Sequence, residues 1–489
     1  MMTGSTGRRP DRAAELPRTT VDDPGGVTEQ VGRFVTGVDL TALPQQVTER
    51  ATVVLLDTIG CLLGGWSTPE AARLTELLDR RGNCGSAPVV GSTRRAAPEI
   101  AALVNGTLIA ALGYDDVARV MGGHPSGAVV AAIVAETGRR TIGGPEALGA
   151  YVLGVEISAR VGNALGPEHS RRGWHTTATA GVFGAVAALA RLRGLDAGCS
   201  THALGIATSL SAGLKSSFTT MTRAVHTGWA AHSAMLAVDM AEAGLTGQRH
   251  GLEAPDGFIA AYGGPGSDPA RIVARLGDPW VFSAPGDGLK LYPCHGATHR
   301  GLEAALLIRE ESGLRPDDIA SVRCYNPPPW FSWVPRLRPA SGQEGRFSME
   351  YILAAALVDG HIGIHSFTDD AVARPEVRAL FARIDLVEDA AFQPPDPYAG
   401  DPDRPPYEGF VRVEITSVSG RTWTRDVEQP PGAPGRVLDR QAVERKFLEC
   451  AVSLGGMEEP VALDLAAALH RITACTDLSG LLGSASVRR

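Results

Sequence analysis

Cysteine is scarce in this sequence, and the cysteines that are present do not pair. Seven thiols are scattered over 489 residues, an odd number with no CxxC motif. They are Cys61, Cys84, Cys199, Cys294, Cys324, Cys450 and Cys475. The pattern argues against a disulfide scaffold, a zinc ribbon and a typical iron–sulfur site. Reduced thiols are the simplest account, and they predict a cytoplasmic protein.

Excess positive charge, a secretory signal and a membrane span are also missing. The net charge of −8 leaves no electrostatic footprint for a nucleic-acid partner. Residues 1–26 are rich in Arg, Asp, Pro, Thr and Gly without the apolar core of a signal peptide, which predicts a disordered lead-in. Residues 173–190 lack charged side chains, but they are rich in Ala, Gly and Thr, whereas a membrane helix needs about 20 strongly apolar residues. We expect neither a nucleic acid nor a membrane as a partner.

Several motifs that carry chemistry are absent as well. No GxGxxG, Walker A or GxSxG motif is present, so dinucleotide, nucleoside triphosphate and serine-hydrolase functions have no support. His295 and His299 have the i, i+4 spacing of zinc-binding helices and follow Cys294. No glutamate accompanies them in an HExxH arrangement. We therefore predict no metal site.

What the sequence does contain is helical periodicity over its first half. Apolar residues recur at three- and four-residue spacing over residues 45–66 and 69–81. Further helices are predicted over residues 96–112, 128–136, 151–162, 177–192, 199–214 and 227–243. The helix over 177–192 consists mostly of Ala, Gly and Val, and glycine in a helix costs about 1 kcal/mol relative to alanine. Gly181 and Gly184 therefore indicate close helix contacts, and we predict a buried central helix here.

The pattern changes after about residue 286. Apolar and polar residues alternate over 319–325, 410–416 and 422–427, which predicts strands. Helices are predicted between them over 298–311, 348–358 and 375–384, and residues 437–482 are helical again. Length alone suggests two or three domains. We predict a mainly α protein with an α+β domain: an all-helical domain formed by both chain ends (27–286 and 431–489) and an inserted α+β domain over 287–430.

Four polar clusters interrupt the apolar segments. They are Gly113-Tyr114-Asp115-Asp116 with His124-Pro125-Ser126, then Trp174-His175-Thr176, then Arg223 with His226, and Lys290-Leu291-Tyr292-Pro293-Cys294-His295 with His299. Each cluster alone has an ordinary structural explanation, such as a helix cap or a turn. Together they combine cations that bind carboxylates with histidines that move protons. The sequence therefore predicts a pocket for a di- or tricarboxylate.

The clusters also carry a family resemblance. Gly-Tyr-Asp-Asp…His-Pro-Ser-Gly, Gly-Trp-His-Thr-Thr-Ala-Thr-Ala-Gly and Lys-Leu-Tyr-Pro-Cys-His, in this order, resemble the MmgE/PrpD family over residues 27–482. That family includes 2-methylcitrate dehydratase, cis-aconitate decarboxylase and iminodisuccinate epimerase. The resemblance implies an inserted α+β lid, a homodimer and chemistry without a cofactor in the cleft between the domains. It assigns His124, His175, Lys290, His295 and Tyr351 to active-site positions.

Two positions depart from the family pattern. Gly113 stands where many members have an aspartate, and Arg223 stands where many have a lysine before the Leu-His-x-Gly segment. Arginine keeps the positive charge and can bind a carboxylate with two parallel hydrogen bonds, but it cannot act as a base. Carboxylate binding is expected to survive at this position, whereas a proton-transfer role is not.

We predict a lyase that dehydrates a β-hydroxy di- or tricarboxylate such as 2-methylcitrate, a reaction of propionate metabolism. In this hypothesis His175 or His124 removes the proton α to a carboxylate, Lys290 and Arg223 hold carboxylates, and His295 or Tyr351 protonates the leaving hydroxyl. The other residues predicted to bind substrate are Asp115, Asp116, Ser126, Thr176 and His299.

Four alternatives stay open at this point. Three are enzymes of the same family: a decarboxylase, an epimerase, and a dehydratase acting on another hydroxylated diacid in specialised metabolism. The fourth is a non-catalytic, carboxylate-binding scaffold.

Overall fold

The computed structural model describes residues 25–82, 84–334, 336–395, 409–483, 485 and 487. The predicted lead-in over 1–26 lies outside this part of the chain except for its last two residues. The helices are α1 (Val27–Gly37), α2 (Gln45–Gly65), α3 (Pro69–Arg81), α4 (Pro98–Ala111), α5 (Ser126–Glu136), α6 (Gly144–Arg171), α7 (Thr176–Arg193), α8 (Ala197–Leu210), α9 (Thr222–Glu242), α10 (Phe258–Tyr262), α11 (Ala270–Val273), α12 (His299–Ser312), α13 (Gly342–Gly345), α14 (Met349–Asp359), α15 (Asp369–Ala373), α16 (Pro375–Phe381), α17 (Arg440–Leu448), α18 (Glu459–His470) and α19 (Leu478–Gly483). The strands are β1 (Ala87–Pro88), β2 (Arg95–Ala96), β3 (Ile319–Asn326), β4 (Ile384–Glu388), β5 (Val411–Ser417) and β6 (Thr422–Val427). The protein is thus mainly helical with a small amount of sheet.

Helix α7 is the buried helix expected from its composition. All of its side chains are buried except Arg191 and Arg193 in the last turn, and it packs against α5, α6, α8 and α9. Gly184 lies directly against α6, where a Cβ would clash with the Ser158 side chain. Gly181 is less crowded, since its Cβ would lie 3.4 Å from the Ala128 Cβ. Only one of the two glycines is therefore required by close packing.

Both ends of the chain contribute to one hydrophobic core. It contains buried side chains from residues 31–289 together with residues 443–485. Helix α2 packs against α17, and the Cβ that Gly60 lacks would lie 3.1 Å from the Phe447 ring. The last helices therefore complete the core that the first helices begin.

A second core surrounds the four-stranded sheet. Its strands are ordered β4-β3-β5-β6, with β3 parallel to β4 and antiparallel to β5, and with β5 and β6 forming a hairpin. Helices α12 and α14 pack against this sheet. Alternate residues of β5 are buried, which is the period-2 pattern of a sheet with one face in the core. The buried residues of this core lie between 292 and 427.

The structure corrects two predicted elements. The helix predicted over 375–384 ends at Phe381, and the chain continues as strand β4, which five residues are too few to reveal by alternation. The helix predicted over 151–162 is part of the 28-residue α6, whose backbone is non-helical at Gly166 (φ 68°), just before Pro167. The predicted helix ended at residue 162, before the Gly166-Pro167 pair that marks the break in the sequence.

Within the described residues, no single helix has both the length and the apolarity needed to cross a membrane. Helices α2 and α3 meet that test only when taken as a pair, and they are bent by 76° relative to each other.

Candidate active site

A cavity of about 530 Å³ brings together residues that are far apart in the sequence. Its walls come from residue 113, from residues between 117 and 124, between 162 and 177, between 215 and 223 and between 288 and 300, and from residues 333, 346, 347 and 430–434. The predicted site residues that line it are His124, His175, Thr176, Arg223, Lys290, His295 and His299. The volume lies within the range of ligand-binding clefts. The cavity is therefore the candidate active site.

Lys290 is held in the wall of the cavity by a buried ion pair. Its Nζ lies 3.0 Å from Asp115 Oδ1 and donates to the Gly113 carbonyl at 3.1 Å. Burial alone would raise the pKa of Asp115, but the positive charge of Lys290 outweighs it and keeps the carboxyl ionised. Asp115 does not line the cavity itself. It positions Lys290, whereas a direct substrate contact was predicted.

The hydrogen bonds of His124 determine its tautomer. Its Nδ1 lies within hydrogen-bond distance of the Asp116 carbonyl, which can only accept, so we assign the proton to Nδ1. Burial and the charge of Lys290 lower the pKa of His124 to about 4, so the ring is neutral near pH 7. The neutral ring therefore has its lone pair on Nε2, as a general base requires.

His295 has the opposite tautomer. The backbone N–H of Ala297 donates to His295 Nδ1 at 3.3 Å, so the proton of the neutral ring is on Nε2. Burial and the charge of Lys290 lower the pKa of His295 to about 3. The cavity therefore contains one imidazole with a lone pair on Nε2 and another with Nε2–H.

His175 and His226 form a third element of the site. Their Nδ1 atoms are 2.9 Å apart, so one ring donates and the other accepts. Burial and the charge of His226 lower the pKa of His175 well below its ordinary value, and burial lowers that of His226 to about 4. His175 stands at the N-cap of α7, but its side chain makes no capping hydrogen bond. Helix capping therefore does not account for this histidine.

Besides Asp115, three further predicted site residues do not line the cavity: Asp116, Ser126 and Tyr351. The Ser126 hydroxyl donates to Asp116 Oδ2 at 2.6 Å, and both side chains are buried. Burial and the neighbouring charge of Asp287 raise the pKa of Asp116 well above its ordinary value. Tyr351 is fully buried in the second core, where its hydroxyl donates to the Ser366 carbonyl. It lies among apolar neighbours on α14, and this buried hydroxyl has found its partner on the backbone. The structure thus places it apart from the cavity.

His299 lines the cavity from the first turn of α12. Its Nε2 lies 3.4 Å from the Cys294 carbonyl, and its ring packs edge-on against Tyr292 at 5.3 Å. Burial and the charge of Lys290 lower its pKa to about 3. His299 is thus a neutral wall residue.

The small number of lysines is a signal of the site that the predictions did not use. The chain has only three lysines, Lys215, Lys290 and Lys446. Lys215 and Lys290 line the cavity, and Lys446 contacts Tyr114, which directly follows the lining residue Gly113. Lys446 Nζ is 2.6 Å from Asp57 Oδ1 and donates to the Tyr114 carbonyl at 2.8 Å. In a chain that otherwise uses arginine, the position of each lysine indicates the site.

Arg346 is a second site residue that the sequence analysis missed. It lines the cavity, is 8% exposed and comes from the segment that follows α13. Its backbone carbonyl accepts from the His295 N–H at 3.0 Å. A lone arginine before an apolar helix gives no signal of this placement.

One group of side chains in the described residues has metal-like spacing. Single ligand atoms of Asp115, Asp116 and His124 all lie within 4.8 Å of one another. The ammonium group of Lys290 already contacts Asp115 and supplies positive charge where a metal would supply it. Burial raises the pKa of Cys294, in the cluster weighed as zinc-binding, to about 12, and a thiol ligand must be deprotonated. These residues do not fit a metal centre.

Comparisons with known proteins match most of the chain. The family model described as the MmgE/PrpD N-terminal domain matches residues 29–269, and the one described as the MmgE/PrpD C-terminal domain matches residues 292–470. The chain is 28% identical over 486 residues to cis-aconitate decarboxylase of Aspergillus terreus, covering 94% of this chain and 95% of that protein. It is 28% identical over 432 residues to cis-aconitate decarboxylase of Homo sapiens, covering 86% and 87%. It is 27% identical over 447 residues to the cis-aconitate decarboxylase-like protein oryM of Aspergillus oryzae, covering 86% and 90%.

Proposed function

This chain belongs to the MmgE/PrpD family, and from that premise we propose that it is a lyase acting on a di- or tricarboxylate through a carbanion α to a carboxylate. The favoured reaction is dehydration of a β-hydroxy substrate such as 2-methylcitrate. The observation that carries it is the pair of opposite tautomers in one cavity, on His124 and His295, beside the ammonium group of Lys290. Elimination of water needs a base at carbon and a hydrogen-bond donor at the leaving oxygen, and these two rings provide both.

In the proposed dehydration, residues of the cavity account for each bond that breaks or forms. Lys290 and Arg223 bind carboxylates, and His124 Nε2 takes the α-proton as the C–H bond breaks. The cations stabilise the enediolate-like charge that develops, which is usually the largest contribution to catalysis. The electron pair then forms the C=C bond as the C–O bond breaks. The hydroxyl leaves as water, hydrogen-bonded to the Nε2–H of His295, and takes the proton that His124 has removed.

Decarboxylation is the second candidate, and the similarity to cis-aconitate decarboxylases favours it. The same cations would hold an unsaturated tricarboxylate such as cis-aconitate. The bond to one carboxylate carbon would break, CO2 would leave, and the electron pair left on carbon would take a proton that a neutral cavity histidine relays from solvent water. Both reactions pass through a stabilised carbanion, so one pocket serves either.

The test measures two products in parallel. Purified, chelator-treated protein is incubated with 2-methylcitrate, citrate and cis-aconitate, with alkene formation followed by ultraviolet absorbance and CO2 release measured directly. Alkene without CO2 supports dehydration, whereas CO2 moves the assignment to decarboxylation. If none of the three compounds is converted to a product, the proposal is contradicted. A Lys290→Met variant is the matched inactive control.

We also propose that the two cores are two domains. The first would comprise residues 27–286 and 431–489 and the second residues 287–430, with the cavity in the cleft between them. The homodimer implied by the family stays a prediction, and light scattering on the purified protein checks it.

A further inference from the structure

Two arginines converge at the end of α4, although they are distant in the sequence. Arg223, in the first turn of α9, donates to the Ala110 carbonyl at 2.5 Å. Arg346 donates from Nη1 to the Ala111 carbonyl at 3.0 Å. These are the last two residues of α4, and the negative end of a helix macrodipole favours a cation.

Both guanidinium groups lie near the position that a side chain of residue 113 would occupy. A Cβ at this position would be 3.5 Å from Arg223 Nη2 and 3.6 Å from Arg346 Nη1. Both groups therefore border the same small space beside the Gly113 Cα. The φ of Gly113 is 64°, a left-handed conformation that suits glycine. Its carbonyl accepts from Lys290, so one glycine separates three cationic groups.

Within the described residues neither arginine forms an ion pair with a carboxylate, and the charges of Asp115 and Glu70 act on them only from a longer distance. Each arginine is 8% exposed. The Nε of Arg346 is buried without a hydrogen-bond partner. Burial and the charge of Arg223 lower the pKa of Arg346 to about 10. A buried charge without a partner is strongly unfavourable, and an anion between the two groups would compensate both.

We propose that Arg223, Arg346 and Gly113 form a second carboxylate subsite, next to Lys290, for a substrate carboxylate that takes no part in bond breaking. Guanidinium groups suit this role because each presents several donors in a fixed plane. The inference rests on the proposed function, since it takes the ligand to be a di- or tricarboxylate. Because only one residue separates the subsite from Lys290, it selects substrates whose carboxylates are on adjacent or next-adjacent carbon atoms.

The subsite is tested by binding of tricarballylate (propane-1,2,3-tricarboxylate), which has neither a leaving hydroxyl nor an alkene. Gly113→Asp places a carboxylate near the guanidinium groups, and Gly113→Ala is the matched control with the same backbone strain and no charge. Arg346→Gln removes one cation. Because each change weakens the hydrogen bonds between the charged guanidinium groups and the ligand carboxylate, we expect Gly113→Asp and Arg346→Gln each to raise the calorimetric Kd about tenfold or more.

Two further variants distinguish loss of the subsite from a general loss of structure. Arg346→Gln should have little additional effect in the Gly113→Asp background, because the aspartate already neutralises the pair. Arg346→Lys keeps the charge but loses the planar donor set, so its Kd should lie between those of the wild type and Arg346→Gln. Thermal unfolding of every variant confirms that it is folded.

The outcomes separate this inference from the proposed reaction. Wild-type binding in Arg346→Gln, equal Kd values for Gly113→Asp and Gly113→Ala, or no binding of tricarballylate by the wild type would each overturn the subsite. If binding responds as expected but no substrate turns over, the subsite stands and the proposed reaction fails. If turnover occurs and Arg346→Gln changes neither KM nor Kd, the reaction stands and the subsite fails.

Discussion

Substituting Lys446 by methionine should destabilise the protein strongly, although the side chains have similar volumes. Lys446 is 4% exposed, and its Nζ contacts Asp57, which is 1% exposed, at 2.6 Å. No other cation of the described residues lies within 4 Å of that carboxylate. The ammonium group also lies 3.9 Å from the centre of the Tyr114 ring. Lys446→Met therefore leaves a carboxylate buried without its partner.

The size of the effect follows from the burial of both partners. Breaking a buried ion pair by removing one partner costs about 3–5 kcal/mol, because the remaining charge is uncompensated. The unfolding entropy is about 2.1 cal/mol/K per residue, so for a chain of 489 residues about 1 kcal/mol lowers Tm by one degree. We expect Tm at pH 8 to fall by about 3–5 °C in Lys446→Met.

The loss of stability in Lys446→Met should depend on pH, and the direction of this dependence can be derived from the pKa of Asp57. Burial already raises the pKa of Asp57 even beside Lys446, and removing the cation raises it further. In the unfolded chain the pKa of Asp57 stays at about 3.9, so the folded variant binds a proton more readily than the unfolded chain. The destabilisation is therefore largest above the folded pKa and shrinks as pH falls through it. Tm measured by calorimetry from pH 8 to pH 5 should show the variant approaching the wild type.

A double variant distinguishes lost charge balance from lost packing. Lys446→Met/Asp57→Asn removes both charges, so it should recover more than half of the lost Tm at pH 8. A double variant as unstable as Lys446→Met, or a deficit that does not change with pH, would refute this account of the buried pair.

Three further predictions concern the histidines and the central helix. His124→Ala should lower kcat about 10²–10⁴-fold, as expected for loss of a general base, whereas His232→Ala, outside the cavity, should stay within about threefold of the wild type in the same assay. The logarithm of kcat/KM should be flat from pH 6 to pH 8 and decline toward pH 4, since the pKa of His124 is about 4 and the base must be neutral; a midpoint near 6.5 in the pH–rate profile would contradict this. Gly184→Ala should destabilise by about 1–3 kcal/mol because its Cβ meets α6, whereas Gly181→Ala, in the same helix, should be neutral or stabilising, as urea denaturation of the two variants will show.

Local patterns predicted most of the helices and strands because the elements are regular and amphipathic or uniformly apolar. The predicted strand over 422–427 coincides with β6, and the helix over 69–81 coincides with α3. Strand β4 was not predicted, because five residues that follow a helix show too little alternation to distinguish a strand from the end of the helix. The bend at Gly166 was not predicted because the predicted helix ended at residue 162, before the Gly166-Pro167 pair.

The polar clusters in the sequence indicated the cavity. They could not indicate how deeply each side chain is buried or which tautomer each histidine has. Lys290 and His295 were identified from their motif, and both line the cavity. Tyr351 belongs to a similar polar–apolar pattern, yet its hydroxyl turns into the second core. Arg346 reaches the cavity only through the packing of α13 against distant segments, which no local spacing encodes. Side-chain direction depends on tertiary contacts, and these are not written in a motif.

The scarcity of lysine has a practical consequence for labelling and immobilisation. Every ε-amino group of the chain belongs to Lys215, Lys290 or Lys446, and the latter two are only 4% exposed. Reagents that acylate amines or form imines will therefore find few exposed targets, and the most accessible side-chain amine lies at the cavity itself. Modification by an amine-reactive aldehyde reports on access to the site, and protection by a tricarboxylate becomes a binding assay that needs no turnover. Attachment to a support through lysine side chains, routine for lysine-rich enzymes, would instead direct the matrix toward the cavity.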